Sequence, residues 1–178
     1  GLVAELAKSL TSSLASEVSF VTGGQPGFQK AFSEHCREGA SVFHLVLHGD
    51  RSGCSRGQDL QGGRDEEEQR LVLAALCDVY VTVEGRTVPL EARIARQRGA
   101  LVVPVALGGG FPQAVSQRPP CARPEDWSLL VNASDSSIEE VMAAVARIVN
   151  AFIKSPAAAQ QQQGQPAAAW WQQQQQQQ

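Results

Sequence analysis

The sequence lacks an excess of charge of either sign and lacks a long apolar run. Its 178 residues hold 15 Lys and Arg against 18 Asp and Glu, for a net charge of -3. Nucleic-acid-binding domains usually carry clustered basic residues, so we predict no nucleic-acid partner. No stretch approaches the roughly 18 apolar residues of a membrane span. The residues therefore predict no membrane span.

Cysteines in metal-binding or redox spacing are also lacking. The four cysteines are scattered, with no C-x-x-C pair and no histidine at zinc-finger spacing: Cys36, Cys54, Cys77 and Cys121. We expect free thiols in a reducing, intracellular and most simply cytoplasmic setting. The N-terminal segment has no signal-peptide pattern. Because the first residue is Gly1, we keep open the alternative that this is an organellar protein whose targeting peptide has been removed. No cofactor and no metal is predicted.

Charge is lacking altogether in the last part of the chain. Residues 155–178 contain alanine triplets, glutamine runs and Trp170-Trp171, and no charged side chain. Such a composition buries too little apolar surface to fold alone, so we predict a disordered low-complexity tail after one domain, residues 1–154. The alternative is that the tryptophan pair anchors the tail on a partner protein.

Apolar segments of two kinds alternate along residues 1–154. Runs rich in β-branched residues predict four strands, at Glu17–Thr22, Ser41–Leu47, Asp78–Val83 and Ala100–Leu107. Helical spacing predicts helices over residues 1–15, Phe28–Arg37, Asp65–Leu76 and Leu90–Arg98, and a last helix behind a capping box, Ser136-x-x-Glu139. Leu71, Ala74 and Ala75 are expected on the apolar face of the third helix, and Ile138 on that of the last helix. The glycine-rich stretch Gly49–Gly63 is expected to be a polar loop.

This alternation predicts an α/β fold, a single Rossmann-like domain in which helices cover both faces of a parallel sheet. In such sheets a ligand binds beyond the carboxyl ends of the strands. Glycine turns follow the predicted strands there, at Gly23-Gly24, Gly49, Gly85 and Gly108-Gly109-Gly110. Glycine lets the backbone approach an anion, and Arg51, Arg56 and Arg86 are nearby in sequence. We therefore expect a phosphate-bearing small ligand.

The order of several motifs resembles a known family. Thr22-Gly23-Gly24 after the first strand, Asp65–Arg70 on a helix, Cys77–Val81, and the segment from Glu84 to Glu91 are similar to the lysine decarboxylase-like proteins. These include the LONELY GUY phosphoribohydrolases, which release cytokinin bases from their nucleotides, and the wider SLOG group of nucleotide-sensing domains. The resemblance covers about residues 17–107. It implies a nucleotide ligand and a homodimer.

Site roles follow from this resemblance. It implies that Glu91 is the catalytic carboxylate, while Arg70 or Arg86 holds the phosphate. Together with the glycine turns and His48 at the carboxyl edge, the expected ligand contacts are Thr22, Gly23, Gly24, His48, Arg70, Gly85, Arg86, Gly108 and Gly109. Family enzymes carry E-R-K on the third helix and P-G-G-x-G-T-x-x-E after the third strand. This chain has Gln69 at the arginine position and lacks the second and third glycines, which favours binding over catalysis.

Other motifs point elsewhere. Gly53–Gly57 fits G-x-S-x-G, but no strand directly precedes it and no apolar helix follows, so a serine hydrolase is not predicted. The acids of Asp65–Glu68 suit a helix start rather than a metal site. His44 lies within the second predicted strand and is expected in the core. His48 follows the end of that strand and is either a ligand contact or an ordinary loop residue.

Two functions stay open at this point. In the first, the chain binds a nucleotide or phosphoribosyl-type ligand and keeps residual nucleoside-monophosphate phosphoribohydrolase activity through Glu91. In the second, it is a catalytically inactive accessory or scaffold subunit of a larger assembly.

Overall fold

The computed structural model describes residues 2–14, 18–83, 89–105, 117–131 and 136–156. The helices are α1 (Leu2–Leu14), α2 (Phe28–His35), α3 (Glu66–Leu76), α4 (Leu90–Gln97), α5 (Pro124–Val131) and α6 (Ile138–Ile153). The strands are β1 (Ser19–Thr22), β2 (Ser41–Val46), β3 (Gln58–Gln61), β4 (Val79–Val83) and β5 (Leu101–Val105). Most of the predicted tail, residues 157–178 with Trp170-Trp171, lies outside these ranges.

The described strands form two parallel sheets flanked by helices. One sheet has the order β1-β2-β3 and the other pairs β4 with β5. In the first sheet Thr22 stands opposite His44, and His44 stands opposite Asp59. In the second, Thr82 stands opposite Pro104, so Pro104 lies in a strand that has only one partner among the described residues. The predicted α/β class is confirmed.

Strand β3 lies inside the segment predicted to be a loop. Its sequence, Gln-Asp-Leu-Gln, carries none of the β-branched residues that marked the other strands. It is a strand because its backbone pairs with β2 from Phe43↔Gln58 to Val46↔Gln61. The prediction that the whole of Gly49–Gly63 is a loop is therefore wrong for these four residues, since a tertiary pairing overrides the local preference.

The apolar core lies mainly between α1, α5, α6 and the strands. Helix α1 packs against α2 and α6, and its Leu6, Leu10 and Leu14 are buried. Helix α6 buries eight side chains along one face, among them Val141, Met142, Val145, Ile148 and Phe152. Ile138, predicted to face the core, is 37 % exposed because it is the first residue of α6, before the helix reaches its packing partners.

Helix α3 turns inward only part of the face predicted for it, which was Leu71, Ala74 and Ala75. Leu71 is 40 % exposed, whereas Gln69, Val72 and Ala74 are buried. The buried side-chain amide of Gln69 has a partner in the sheet, because its Nε2 donates to the carbonyl oxygen of Leu45 in β2 at 2.6 Å. On this helix a polar residue therefore faces the sheet, while Leu71 faces solvent.

The capping residues agree with the sequence at one helix and differ by one residue at another. Asp65 caps α3, its side chain accepting a hydrogen bond from the amide of Glu68. At α6 the capping box is Ser137 with Glu140, not Ser136 with Glu139. Adjacent serines followed by adjacent glutamates fit the same motif in two registers, and the apolar face of α6 selects the second.

A buried carboxylate joins α5 to α6. Asp126 is 2 % exposed and accepts hydrogen bonds from Arg123 Nε at 2.8 Å and from Arg147 Nη2 at 2.6 Å. Burial alone would raise the pKa of Asp126, but the two guanidinium groups hold it below its usual range. The charged side chain of Asp126 therefore links the two helices through its ion pairs with Arg123 and Arg147.

All four cysteines are free thiols. Burial raises the pKa of Cys36 and of Cys77 to about 11.

Among the described residues, no helix is both long and apolar enough to cross a membrane.

Candidate functional site

The carboxyl ends of β1, β2 and β3 meet at one edge, because the three strands run parallel in a continuous register. Thr22 ends β1 and is followed by Gly23 and Gly24. His48 lies two residues beyond β2 and is exposed, and Gly62-Gly63 follows β3. Of the predicted ligand contacts, the structure thus brings Thr22, Gly23, Gly24 and His48 to the same edge.

The turn between β1 and α2 is covered by a side chain of α2 itself. Gln29 Oε1 accepts a hydrogen bond from the amide of Gln25 at 3.1 Å. A methyl group on Gly23 would lie only 3.0 Å from the same oxygen. The amide of Gly24 donates to Thr22 Oγ1 at 3.2 Å. Two amides that a phosphate would use therefore already have partners within the turn.

Gly24 is held closely by its neighbours. Its φ of +68° is one that side chains rarely adopt, and a methyl group there would lie 2.9 Å from Val46 Cγ1 and 3.0 Å from Ser52 Cβ. Glycine at this position is explained by packing against β2 and against Ser52 of the 47–57 segment. A close approach to a ligand is not needed to account for it.

Beneath the turn lies a buried histidine, as predicted. His44 is 1 % exposed, and its Nδ1 lies 2.7 Å from Thr22 Oγ1. Its Nε2 lies 2.7 Å from the carbonyl oxygen of Arg56. A carbonyl oxygen can only accept, so Nε2 carries a proton and donates it. His44 thus connects the end of β1 to the segment that leads into β3.

Next to this histidine is a carboxylate that the sequence analysis did not single out. Asp59, opposite His44 in β3, accepts a hydrogen bond from the amide of Ser52 at 3.2 Å. Hydrogen bonding from Ser52 lowers the pKa of Asp59. Asp59 and Gln29 lie in segments without a chemical motif, and their roles depend on contacts between segments, so no sequence signal marked them.

The exposed His48 has a charged pair as its neighbour. Its amide donates to the carbonyl oxygen of Gly63 at 3.0 Å, which extends the β2–β3 pairing to this edge. Arg64 Nε donates to Glu68 Oε1 at 3.0 Å, and this bond is the main reason that the pKa of Glu68 falls to about 2, to which the nearby His48 also contributes. The edge therefore carries one exposed imidazole beside a carboxylate that arginine already binds.

The third-helix motif does not supply a phosphate-binding arginine. At the position where the family resemblance puts arginine, Gln69 is 7 % exposed and engaged with Leu45. Arg70 is exposed and forms an ion pair with Glu66 at 3.5 Å on the solvent side of α3. Its role as a phosphate contact stays a prediction.

Arg56, expected near the ligand, lies at the opposite edge. It precedes β3, and its Nη1 donates to the carbonyl oxygen of Cys36 at 2.5 Å, where α2 ends. Both residues come before the amino ends of strands, so they lie at the amino edge of the sheet. The guanidinium caps a helix there, which is a favourable position for a cation. The expectation that Arg56 serves the phosphate edge is wrong.

Glu91 lies in the first turn of α4 and is half-buried. The residues expected to converge with it, Gly85, Arg86, Gly108 and Gly109, lie outside the described residues, as do residues 84–88 and 106–116 as a whole. The catalytic role of Glu91 and these four contacts stay predictions.

The described residues contain no group of three His, Cys, Asp or Glu side chains that could hold a metal ion. A shallow groove between α1 and α6 is lined by Glu5, Lys8, Ser9, Ser12, Glu139 and Met142. It does not include any residue of the carboxyl edge. The candidate site is therefore formed by the edge residues and is separate from this groove.

No family model, curated protein or solved structure matches this chain.

Proposed function

We propose that this chain binds a nucleotide or phosphoribosyl-type small ligand at the carboxyl edge of its sheet. The observation that carries the proposal is the parallel pairing of β1, β2 and β3, which gathers Thr22, the Gly23-Gly24 turn and exposed His48 at one edge. Parallel α/β sheets bind ligands at this edge because their loops and helix N-termini converge there. An imidazole N–H can donate a hydrogen bond to a phosphate oxygen.

The same proposal includes one continuous, Rossmann-like sheet in a single domain, residues 1–154. The order β3-β2-β1-β4-β5 would join the two described sheets through β1 and β4, as in doubly wound folds. Two facts support this order. Strand β1 has a partner on only one side among the described residues, and Phe20 and Val81 pack against the same apolar core. Nuclear Overhauser contacts between β1 and β4 amides would test it.

Binding without efficient hydrolysis is the activity we propose. The resemblance to the LONELY GUY and SLOG proteins supports a nucleotide ligand. However, Gln69 is buried where family enzymes carry arginine, and Arg70 is paired with Glu66 on the solvent side. Any residual phosphoribohydrolase activity would depend on Glu91, so Glu91→Gln should abolish it. Release of free base from AMP, followed by chromatography, measures this.

The test uses the full chain with AMP, ADP-ribose and ribose 5-phosphate in thermal-shift and calorimetric titrations. We expect the Tm to rise with the concentration of at least one ligand. His48→Ala should weaken binding about tenfold, the effect of one charge-assisted hydrogen bond. His35→Ala is the matched control, because His35 is also exposed but lies in the last turn of α2. A folded chain whose Tm no ligand raises would contradict the proposal.

A second candidate is an inactive accessory subunit of a protein assembly. The covered turn favours it, since Gln29 and Thr22 already occupy the amides of Gln25 and Gly24. A homodimer is implied by the family resemblance alone. Sedimentation of the purified chain distinguishes the 19.0 kDa monomer from a dimer of twice that mass. Absent ligand binding together with stable self-association would favour this candidate.

A further inference from the structure

The groove between α1 and α6 combines polar walls with an apolar base. Its volume is about 290 Å³, at the small end of the roughly 300–1,000 Å³ range of pockets for small molecules. Met142, which is 1 % exposed, is the apolar residue among the six that line it. The polar ones are Glu5, Lys8, Ser9, Ser12 and Glu139. A groove of this size suits one large side chain rather than a nucleotide.

An exposed apolar side chain continues the base of the groove along α6. Ile138 lies four residues before Met142, so the two residues share one face of the helix. Ile138 is 37 % exposed and belongs to the few large apolar side chains at the surface of the described residues. The groove and Ile138 together form an apolar strip with polar margins, the α1/α6 strip.

The chemistry of the α1/α6 strip matches tryptophan. Methionine sulfur makes favourable contacts with aromatic rings, and a lysine ammonium is attracted to the face of an indole. The Lys8 side chain is 60 % exposed and its ammonium lies 3.6 Å from Glu5, so it remains accessible to a ring. An indole N–H needs an acceptor when it is covered, and the carboxylates of Glu5 and Glu139 line the margins.

We propose that Trp170-Trp171 of this same chain dock on the α1/α6 strip, so that the tail returns along α6. One indole lies in the groove over Met142, and the other packs against Ile138. The tryptophan pair then binds the chain's own domain and not a partner protein. The inference goes beyond the proposed function, because the groove includes no residue of the carboxyl edge.

The length of the tail fits this arrangement. Met142 lies 11 residues before Ile153, the end of α6, which is about 17 Å along the helix axis. Trp170 lies 17 residues beyond Ile153, and a random coil of that length averages about 23 Å from end to end. A tethered segment reaches its highest effective concentration, in the millimolar range, when its mean length matches the span. Modest affinity of a shallow groove is therefore sufficient.

The test uses the one methionine of the full chain as a reporter. Met142 is the single methionine, so a ¹³C-methyl-methionine label gives one signal from the base of the groove. We expect nuclear Overhauser contacts between this methyl group and a tail indole, and a ring-current shift that is lost in Trp170→Ala/Trp171→Ala. The buried Trp127 is present in both chains, so its own effect cancels. An unchanged methyl signal would overturn the inference.

Two neighbouring serines of α1 test whether the groove itself binds the indole. Ser12 lines the groove and Ser13 is not among its lining residues, while both are exposed. Ser12→Leu fills the groove without adding a ring, so it should remove the shift that depends on the tail tryptophans, whereas Ser13→Leu should keep it. Tm and circular dichroism check that each variant is folded. Equal shifts in the two folded variants would contradict docking in the groove.

Mixing two chains separates the chain's own tail from that of a second copy. Labelled Trp170→Ala/Trp171→Ala is combined with unlabelled wild type, and docking within one chain predicts an unchanged methyl signal at every concentration. Recovery of the wild-type shift would mean that the tail reaches a second copy, which overturns the inference as stated. The readout needs no nucleotide, so failure of the proposed ligand binding at the carboxyl edge leaves this test intact.

Discussion

Gln69 Nε2 donates a hydrogen bond to the carbonyl oxygen of Leu45 at 2.6 Å and so fixes helix α3 against strand β2. Gln69→Leu would leave that buried carbonyl without this donor, at a cost of about 1–3 kcal/mol in the free energy of unfolding. Gln97→Leu is the control, because Gln97 is exposed at the end of α4. Urea denaturation of both variants measures the difference, and equal stability would show that the bond contributes nothing.

Two glycines with similar backbone angles should respond differently to alanine. Gly24 (φ +68°) is crowded by Val46 and Ser52, whereas Gly53 (φ +64°) has nothing within 4 Å of an added methyl group. Gly53→Ala should cost about 1 kcal/mol, the price of the backbone angle alone. Gly24→Ala adds overpacking and should cost about 2–4 kcal/mol. Similar values in urea denaturation would mean that the 47–57 segment does not pack over the turn.

The capping box of α6 distinguishes two neighbouring serines. Ser137 Oγ accepts from the amide of Glu140 at 3.2 Å, and Glu140 Oε2 accepts from the amide of Ser137 at 3.0 Å. Ser137→Ala should lower the free energy of unfolding by about 1 kcal/mol, while Ser136→Ala should change it by less than about 0.5 kcal/mol. The reverse order in thermal or urea denaturation would place the cap one residue earlier.

The buried ion pairs of Asp126 should make the stability of the folded protein depend on pH in the acidic range. The folded-state pKa of Asp126 is lowered, so its ionised form contributes stability above the usual carboxyl pKa of about 4, and this contribution is lost as pH falls through the folded value. Asp126→Asn should cost about 3 kcal/mol at neutral pH and lose less stability than wild type on acidification.

Urea denaturation at about pH 7 and about pH 3 measures this dependence on either side of the carboxyl range. Asp78→Asn is the matched control, because the Asp78 side chain is 53 % exposed and its oxygen lies 3.9 Å from Arg98. It should change stability by less than about 0.5 kcal/mol at either pH. An equal effect of the two substitutions would contradict the importance of burial at Asp126.

Elements with strong local patterns could be predicted from the sequence. Strands β1, β2, β4 and β5 were marked by β-branched residues, and α6 by its long apolar face. Strand β3 could not be found, because only its pairing with β2 makes Gln58–Gln61 extended. The burial of Gln69 on α3 could not be predicted either, since the hydrogen-bond partner of its side chain is a carbonyl far away in sequence.

Only the location of the candidate site could be predicted from the sequence. Parallel strands and glycine turns indicated the carboxyl edge, and His48 does lie there. The contacts that its side chains make could not be predicted. Arg56 caps a helix at the other edge of the sheet, and Gln29 covers the turn that was expected to bind phosphate. Residue type suggests what a side chain can bind, but tertiary neighbours decide what it does bind.

The position of β3 also determines how this sheet opens. Within the described residues β3 pairs on one side only, and the residue that contacts both the buried His44 and the end of α2 is Arg56, just before it. When β3 detaches, both Arg56 contacts are lost with it. We therefore expect Gln58–Gln61, the imidazole of His44 and the last turn of α2 to open as one cooperative unit, with hydrogen exchange faster than that of β5.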